Sequence, residues 1–378
     1  MSIYARELGH HVVYSIGDTH GRGGEVARFI DKLRERADAS GEHAVFVQLG
    51  DLCDCFTLPE PHDIESLRTH IRQRVARVPG LAEAVSGGRQ FVDWRVFDSN
   101  TRDGAVHGYA DFETLISSDC EKVLESLYEA TMSYETMQAF AAMSESRDDV
   151  IFVFGNHDAD MLRGHSDYGR QQKYLFWGLL GFAPDEVVAH MQHGTPERML
   201  RHPWVKWLNA LPHLVISGDT VYMHGGPTGA LVERFDAEGD GCFERWVKDL
   251  DEARNVGWEH PEFKEHESFL SPDGAPNDWL HHPACILDFL RFAKRRYLAV
   301  GHSPFLDFEK GPMIDLAHVD DIRHLFHTPA QLPPEGRLIK HDTNLKRGGD
   351  LWACRHEVGT DVWTGINADF VESPLRMG

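Results

Sequence analysis

Short apolar runs alternate along the chain with stretches in which apolar residues recur every three or four positions. "HVVYSIGD" (11–18) runs into Gly17-Asp18 and precedes "GGEVARFIDKLRERAD" (23–38), where Val26, Phe29, Ile30 and Leu33 fall at i, i+3, i+4 and i+7. That spacing is one face of a helix, so the pair reads as a βα unit. "AVFVQLGD" (44–51) and "VIFVFGNHD" (150–158) repeat the strand pattern. Later come "LVISGDTVYMHGG" (214–226), which suits a hairpin turned at Gly218-Asp219, then "RRYLAVGHSP" (295–304) and "RLIKHDT" (337–343). Runs this apolar belong to strands buried on both faces, so helices are expected to cover the sheet. No internal repeat or low-complexity tract breaks the pattern.

Asp51 and Asn156 stand 105 residues apart, far more than the few dozen one βα crossover needs. The intervening segment contains "IESLRTHIRQRVARV" (64–78), with Leu67, Ile71, Val75 and Val78 at helical spacing, and the amphipathic "EKVLESLYEATMSYETMQAF" (121–140). Residues 59–149 therefore read as a mainly helical insertion. Springing from a strand end, it is expected to cap the cleft and select substrates; a surface elaboration or a dimer contact are the alternatives. A second insertion, about 305–336, carries His318, His324 and His327, read as surface residues.

Composition narrows the picture. The 378 residues, 42% hydrophobic and 26% charged, suit an ordinary globular protein of two domains, or of one large domain with insertions. Six scattered cysteines (Cys53, Cys55, Cys120, Cys242, Cys285, Cys354) show no paired framework, as expected of reduced thiols. The start, "MSIYARELGHHVVYSIGD", lacks the basic and apolar regions of a targeting segment, and no apolar run reaches membrane-spanning length. A cytoplasmic protein without a membrane contact is expected. A net charge of −22 argues against a nucleic-acid groove, which needs clustered Lys and Arg. An anionic substrate would then need positive charge from another source, and 24 histidines suggest a bound metal.

The polar residues gather where the strands stop. Asp18 and His20 follow the first strand, Asp51 and Asp54 the second, Asn156, His157 and Asp158 the third, and His224 and His302 later ones. In open α/β sheets the functional crevice lies at the carboxyl ends of strands. Taken singly, each is an ordinary helix cap or turn residue. In sequence, at successive strand ends, they make a ligand set.

"GDTHG" (17–21), "GDLCD" (50–54), "GNHD" (155–158), "HGG" (224–226) and "GHSP" (301–304) resemble, in order, the five signature blocks of the calcineurin-like metallophosphoesterase superfamily. The last two are similar to the branch holding phosphoprotein phosphatases and bacterial diadenosine-tetraphosphate hydrolases. "IKHDTNLKRGGDLWACR" (339–355) resembles the Asp-Thr turn and Gly-Gly strand that close the sheet there. The resemblance covers most of the chain and leaves about 59–149 unmatched. It implies a four-layer α/β/β/α sandwich, with a discontinuous catalytic domain of residues 1–58 and 150–378.

The resemblance also implies two divalent metal ions. Asp18, His20 and Asp51 would hold the first, and Asp51, Asn156, His224 and His302 the second, with Asp51 bridging. Oxygen and imidazole donors without thiolate suit Mn, Fe, Zn or Mg, and Mn is the expectation. Two such ions outweigh the charges of Asp18 and Asp51, so the site stays positive inside an acidic protein. The implied reaction is attack of metal-bound hydroxide on phosphorus, with His157 as general acid oriented by Asp54. Phosphoprotein phosphatases carry arginines after the GDxxD block and before GNH; here those positions are Cys55 and Phe154. Arg163 is the candidate substrate-binding replacement, with Arg170 as another.

The expected function is a binuclear-metal phosphomonoesterase, of the kind that acts on phosphorylated Ser, Thr or Tyr. A phosphodiesterase or dinucleoside polyphosphate pyrophosphohydrolase is the alternative within the same chemistry. A binding module with a relic metal site is the alternative from another class, and the complete ligand set with His157 and Asp54 weighs against it. The expected partner is a phosphorylated small molecule, a nucleotide or a phosphoprotein.

Overall fold

The apolar runs of the sequence become strands. A computed structural model of the chain describes residues 12–53, 58, 63–93, 108–162, 170–193, 197–227, 229–256, 283–302, 337–340, 351–360 and 362–374. Its strands are β1 (Val12–Ile16), β2 (Ala44–Gln48), β3 (Gln90–Val92), β4 (Tyr109–Asp111), β5 (Val150–Phe152), β6 (Leu214–Ser217), β7 (Thr220–Met223), β8 (Tyr297–Val300), β9 (Arg337–Lys340), β10 (Trp352–Glu357), β11 (Trp363–Asn367) and β12 (Glu372–Pro374). Among the described side chains, those of β1, β2, β6, β7 and β8 are almost all buried. One sheet has the order β12-β11-β10-β1-β2-β5 and another β6-β7-β8-β9, while β3 and β4 form a separate hairpin. The neighbours β1, β2 and β5 run parallel, as do β7, β8 and β9. The expected hairpin pairs Ser217 with Thr220 around Gly218, whose φ of 56° lies in the left-handed region that glycine tolerates best.

Alternation along the strands explains how the sheets meet. Val13, Val45 and Val47 of the larger sheet pack with Val215, Tyr222, Tyr297 and Ala299 of the smaller in one buried cluster. The intervening residues, among them Tyr14, Ile16, Phe46, Val221, Leu298 and Val300, face outward into the cluster that includes the helices. Two sheets packed face to face with helices outside make the four-layer α/β/β/α arrangement.

Parallel neighbours β2 and β5 require a crossover, and the helix Glu121–Ser146 occupies it. Phe140 lies 4.5 Å, ring to ring, from Phe152 of β5, and the helix also packs on the helix Gly23–Ala39. It is buried on several sides, with Ser126, Thr131, Ser133 and Thr136 inside along with its apolar residues. The division expected at residue 149 therefore runs between this helix and the sheet it packs on. The helix Ile64–Arg77 joins the same body through Arg74, which is buried. Arg74 donates to Glu135 Oε2 (3.0 Å) and Thr131 Oγ1 (3.1 Å) and lies 4.5 Å from the centre of the Tyr128 ring.

Near the start of β1, a charged cluster fastens the strand to its antiparallel partner. Tyr14 and Arg355 face each other across β1 and β10, and both donate to Glu42, at 2.8 Å and 2.7 Å. Burial opposes ionisation of Glu42, but the bonds from Arg355 and Tyr14 hold its carboxyl below the ordinary 4.5. A carboxyl lowered in the folded state stabilises above its unfolded pKa and loses that contribution as pH falls. Glu42→Gln should thus lower stability by about 1–3 kcal/mol at neutral pH, the range for hydrogen bonds to charged groups. Urea unfolding should show this gap in full above pH 4.5 and show it narrowing as pH is lowered further; a gap independent of pH would contradict the assignment.

Candidate metal centre

Five strand ends converge on one small volume. Asp18 and His20 follow β1, Asp51 follows β2, Asn156 and His157 follow β5, His224 follows β7 and His302 follows β8. Asp18, His20, Asp51 and His224 are buried. Asp51 lies at the middle: its carbonyl accepts from Thr19 N (3.1 Å) and His20 N (2.8 Å), and its Oδ1 accepts from His157 N (3.0 Å). Gly155 permits this approach, since a Cβ there would stand 2.2 Å from Asp51 N and 2.3 Å from its Oδ1.

On the Oδ1 side of Asp51, four donor atoms crowd together. His224 Nε2 stands 2.8 Å from Asn156 Oδ1, 3.2 Å from His302 Nδ1 and 3.2 Å from Asp51 Oδ1. His302 Nδ1 is 3.0 Å from Asn156 Oδ1. Ligands bound about 2.1 Å from one ion stand roughly 3 Å apart, so this donor set fits a divalent cation. On the Oδ2 side lie His20 Nε2 at 3.8 Å and His157 Nε2 at 3.7 Å, and the donor atoms of His20, Asp51 and His157 all fall within 4.8 Å of one another. The two oxygens of Asp51 thus face two clusters. Asp18 Oδ2 is 3.7 Å from His20 Nε2, while both its oxygens accept from His302 N at 3.0 Å.

Backbone strain marks the same residues. Among the described non-glycine residues, five have positive φ, and three are His20 (43°), Asp51 (50°) and His302 (60°). Such conformations cost of order 1–3 kcal/mol each and persist only where surrounding contacts enforce them.

Electrostatics favours a cation here. Burial works against a charged His224, yet Asp51 and Asp18 raise its pKa to about 10. Burial likewise opposes ionisation of Asp18, but the charge of His224 and hydrogen bonds from His20 and His224 hold its carboxyl well below the usual range. Two buried carboxylates therefore draw a proton onto His224, which a divalent ion would displace. His224 Nδ1 sits 2.7 Å from Leu49 O; a proton donated there leaves Nε2 to face the other donors, the orientation a ligand histidine requires.

The expected residues divide as follows. Asp18, His20, Asp51, Asn156, His157, His224 and His302 come together. Asp54, Cys55 and Arg163, with His318, His324 and His327, lie outside the described residues, as does the side chain of Arg170. Phe154 is buried, with its N donating to Pro212 O and its ring edge-on to His213, so it packs in the interior. Two supports went unassigned in the sequence. Asp158 accepts from Leu52 N (2.9 Å), Cys53 N (3.3 Å) and Gly155 N (2.9 Å), clamping the turn after β2 to the turn after β5. Burial, then the charge of Asp51, pushes its carboxyl up to about 7, against those N–H donors. Its only sequence signal was its place as the third polar residue of the GNHD block. Thr136 accepts from Gly23 N (3.0 Å) and donates to Gly21 O (2.7 Å), pinning the turn after β1 from the crossover helix; no local pattern announces it.

The calcineurin-like phosphoesterase family model matches residues 106–305, more than half of the chain, and the chain belongs to that family. It is a phosphoester hydrolase. The matched span takes in Asn156, His157, His224 and His302 and begins after Asp18, His20 and Asp51. It also takes in the crossover helix, which the motif blocks alone had left unmatched. No curated protein matches the chain. Among solved structures, the chain is similar to a cold-active protein-tyrosine phosphatase of a psychrophile, Shewanella sp., at 13% identity and a TM-score of 0.47, covering 99% of this chain and 84% of that one. A mutant of a cold-active protein tyrosine phosphatase gives 12% and 0.46 over the same shares.

Because a methyl group at residue 155 would overlap Asp51, Gly155→Ala should displace the carboxylate and destabilise the fold by about 1–3 kcal/mol, as overpacking does. Thermal unfolding should show the loss, and elemental analysis should find less bound divalent metal than in wild type. Unchanged stability and metal content would mean that the turns do not meet as described.

Proposed function

We propose that the chain is a phosphomonoesterase working with two divalent ions, of which Mn²⁺ is the first choice and Fe, Zn and Mg fit the same donors. The observation that carries this reading is Asp51, with one oxygen toward Asn156, His224 and His302 and the other toward His20 and His157. In this reading Asp18, His20 and Asp51 hold one ion, and Asp51, Asn156, His224 and His302 the other. When bound, the ions supply an activated water and the positive charge that attracts phosphate oxygens to a protein of net charge −22.

The remaining chemistry falls to side chains. His157 keeps 17% of its side-chain surface exposed, whereas Asp51 keeps 1% and His224 none. That exposure suits a group that meets substrate and protonates the leaving oxygen, with Asp54 as its orienting partner. His157 also lies within ligand distance of Asp51 Oδ2, so metal content decides between a proton donor and a ligand. With Phe154 buried, the phosphate grip passes to other groups, of which Arg163 is our candidate. The substrate is a phosphorylated small molecule, a nucleotide or a phosphoprotein, met in the cytoplasm. Among the described residues no helix is long and apolar enough to cross a membrane. We assign residues 63–118 as an elaboration on a catalytic unit that includes the crossover helix.

Asp51→Asn should abolish turnover and the second equivalent of bound Mn²⁺, because the ions lose their common carboxylate. Two ions with normal turnover in that variant would misplace the centre, and a wild-type protein that binds Mn²⁺ but hydrolyses no phosphate ester would favour a binding module.

His157→Ala should lower kcat by about 10²–10⁴-fold, the usual contribution of a proton donor, with metal content near that of wild type. The loss should shrink for leaving groups as acidic as nitrophenol. A lost equivalent of metal would make His157 a ligand, and equal losses across leaving groups would remove it from the role of proton donor.

A further inference from the structure

Gln48 ends β2 three residues before Asp51, and it is fully buried. The run "AVFV" before it is apolar, and an amide buried next to such a run is unfavourable unless its polar atoms are satisfied. Gln48 Oε1 accepts from Gly50 N at 3.0 Å. Its Nε2 stands 2.6 Å from Gly50 O, 2.8 Å from Thr19 Oγ1 and 3.1 Å from Gly17 O. One side chain thus spans the turn that carries Asp18 and His20 and the turn that carries Asp51.

Those turns need such a tie. His20, Gly50 and Asp51 all have positive φ, at 43°, 95° and 50°, and the backbone between them is joined by Thr19 N and His20 N donating to Asp51 O. The amide bonds both turns from a fully buried position. An apolar side chain of equal size would fill the space and leave Gly17 O, Gly50 O and Gly50 N without this partner.

We propose that Gln48 is a positioning residue for the two-metal centre: its amide holds the turns after β1 and β2 at the separation at which Asp18 and His20 share ions with Asp51. This rests on the metal centre proposed above. An amide that merely satisfied buried backbone would stabilise the fold equally with and without metal, whereas a positioning amide sets metal affinity.

The test uses full-length protein stripped of metal and titrated calorimetrically with Mn²⁺, comparing wild type, Gln48→Met and Thr19→Val, with thermal unfolding of each protein in the absence and in the presence of Mn²⁺. Gln48→Met keeps the volume and removes the hydrogen bonds; Thr19→Val removes one acceptor and leaves the amide in place. Loss of a group that orients metal ligands typically weakens metal binding about 10–100-fold. Gln48→Met is expected to bind Mn²⁺ more weakly by that factor, and Thr19→Val to weaken it in the same direction by less. If Gln48→Met does not fold, Thr19→Val decides. Affinities within twofold of wild type in the folded variants, with stability lowered equally with and without Mn²⁺, overturn the role of Gln48 alone. A wild-type protein that binds no Mn²⁺ overturns the metal centre and this role together.

Discussion

Asp51 joins the strand ends through both its backbone and its side chain. Its carbonyl holds the turn after β1 through Thr19 N and His20 N, and its carboxylate takes His157 N from the turn after β5. The same carboxylate stands 3.2 Å from His224 Nε2 after β7. For this to happen the residue adopts a φ of 50°, and Gly155 gives up a side chain so that the next turn can touch it. The two sheets pack face to face through Val13, Val45, Val47, Val215 and Tyr222. That packing brings the ends of β7 and β8 beside those of β1 and β2.

The charge of this site follows from its burial. An acidic chain that encloses Asp18 and Asp51 beside the imidazoles of His20, His157, His224 and His302 favours positive charge there, and the two carboxylates raise the pKa of His224 to about 10. Divalent ions would meet the same demand more strongly and leave a surplus for a phosphate. The net charge of −22 and an anionic substrate are compatible for that reason. With both ions bound, the site would attract a phosphate even though the chain as a whole is acidic.

The gathering of Asp18, His20, Asp51, Asn156, His157, His224 and His302 was legible because each sits in a short block at the end of an apolar run, and strand ends in such sheets share an edge. The strands β1, β2, β7 and β8 were legible for an equally local reason, each being a continuous apolar run. The crossover helix was harder to read. The long gap between Asp51 and Asn156 suggested an insertion, and a helix that carries Thr131, Ser133 and Thr136 inside gives no local sign of the sheet it packs on. What the supports of the site do was not legible. Thr136 meets Gly21 and Gly23 across more than a hundred residues, and Asp158 meets Leu52 and Cys53 over a similar separation. Such contacts are decided by packing, which no spacing within a block records.

The account's central claim is that one carboxylate is shared between two ions. Anomalous diffraction from crystals grown with Mn²⁺, collected on both sides of the manganese absorption edge, tests it directly. The prediction is two peaks about 3.5–4 Å apart, one near each oxygen of Asp51, with Asn156, His224 and His302 around one of them. A single peak, or two peaks with Asp51 bound to only one, would contradict the claim.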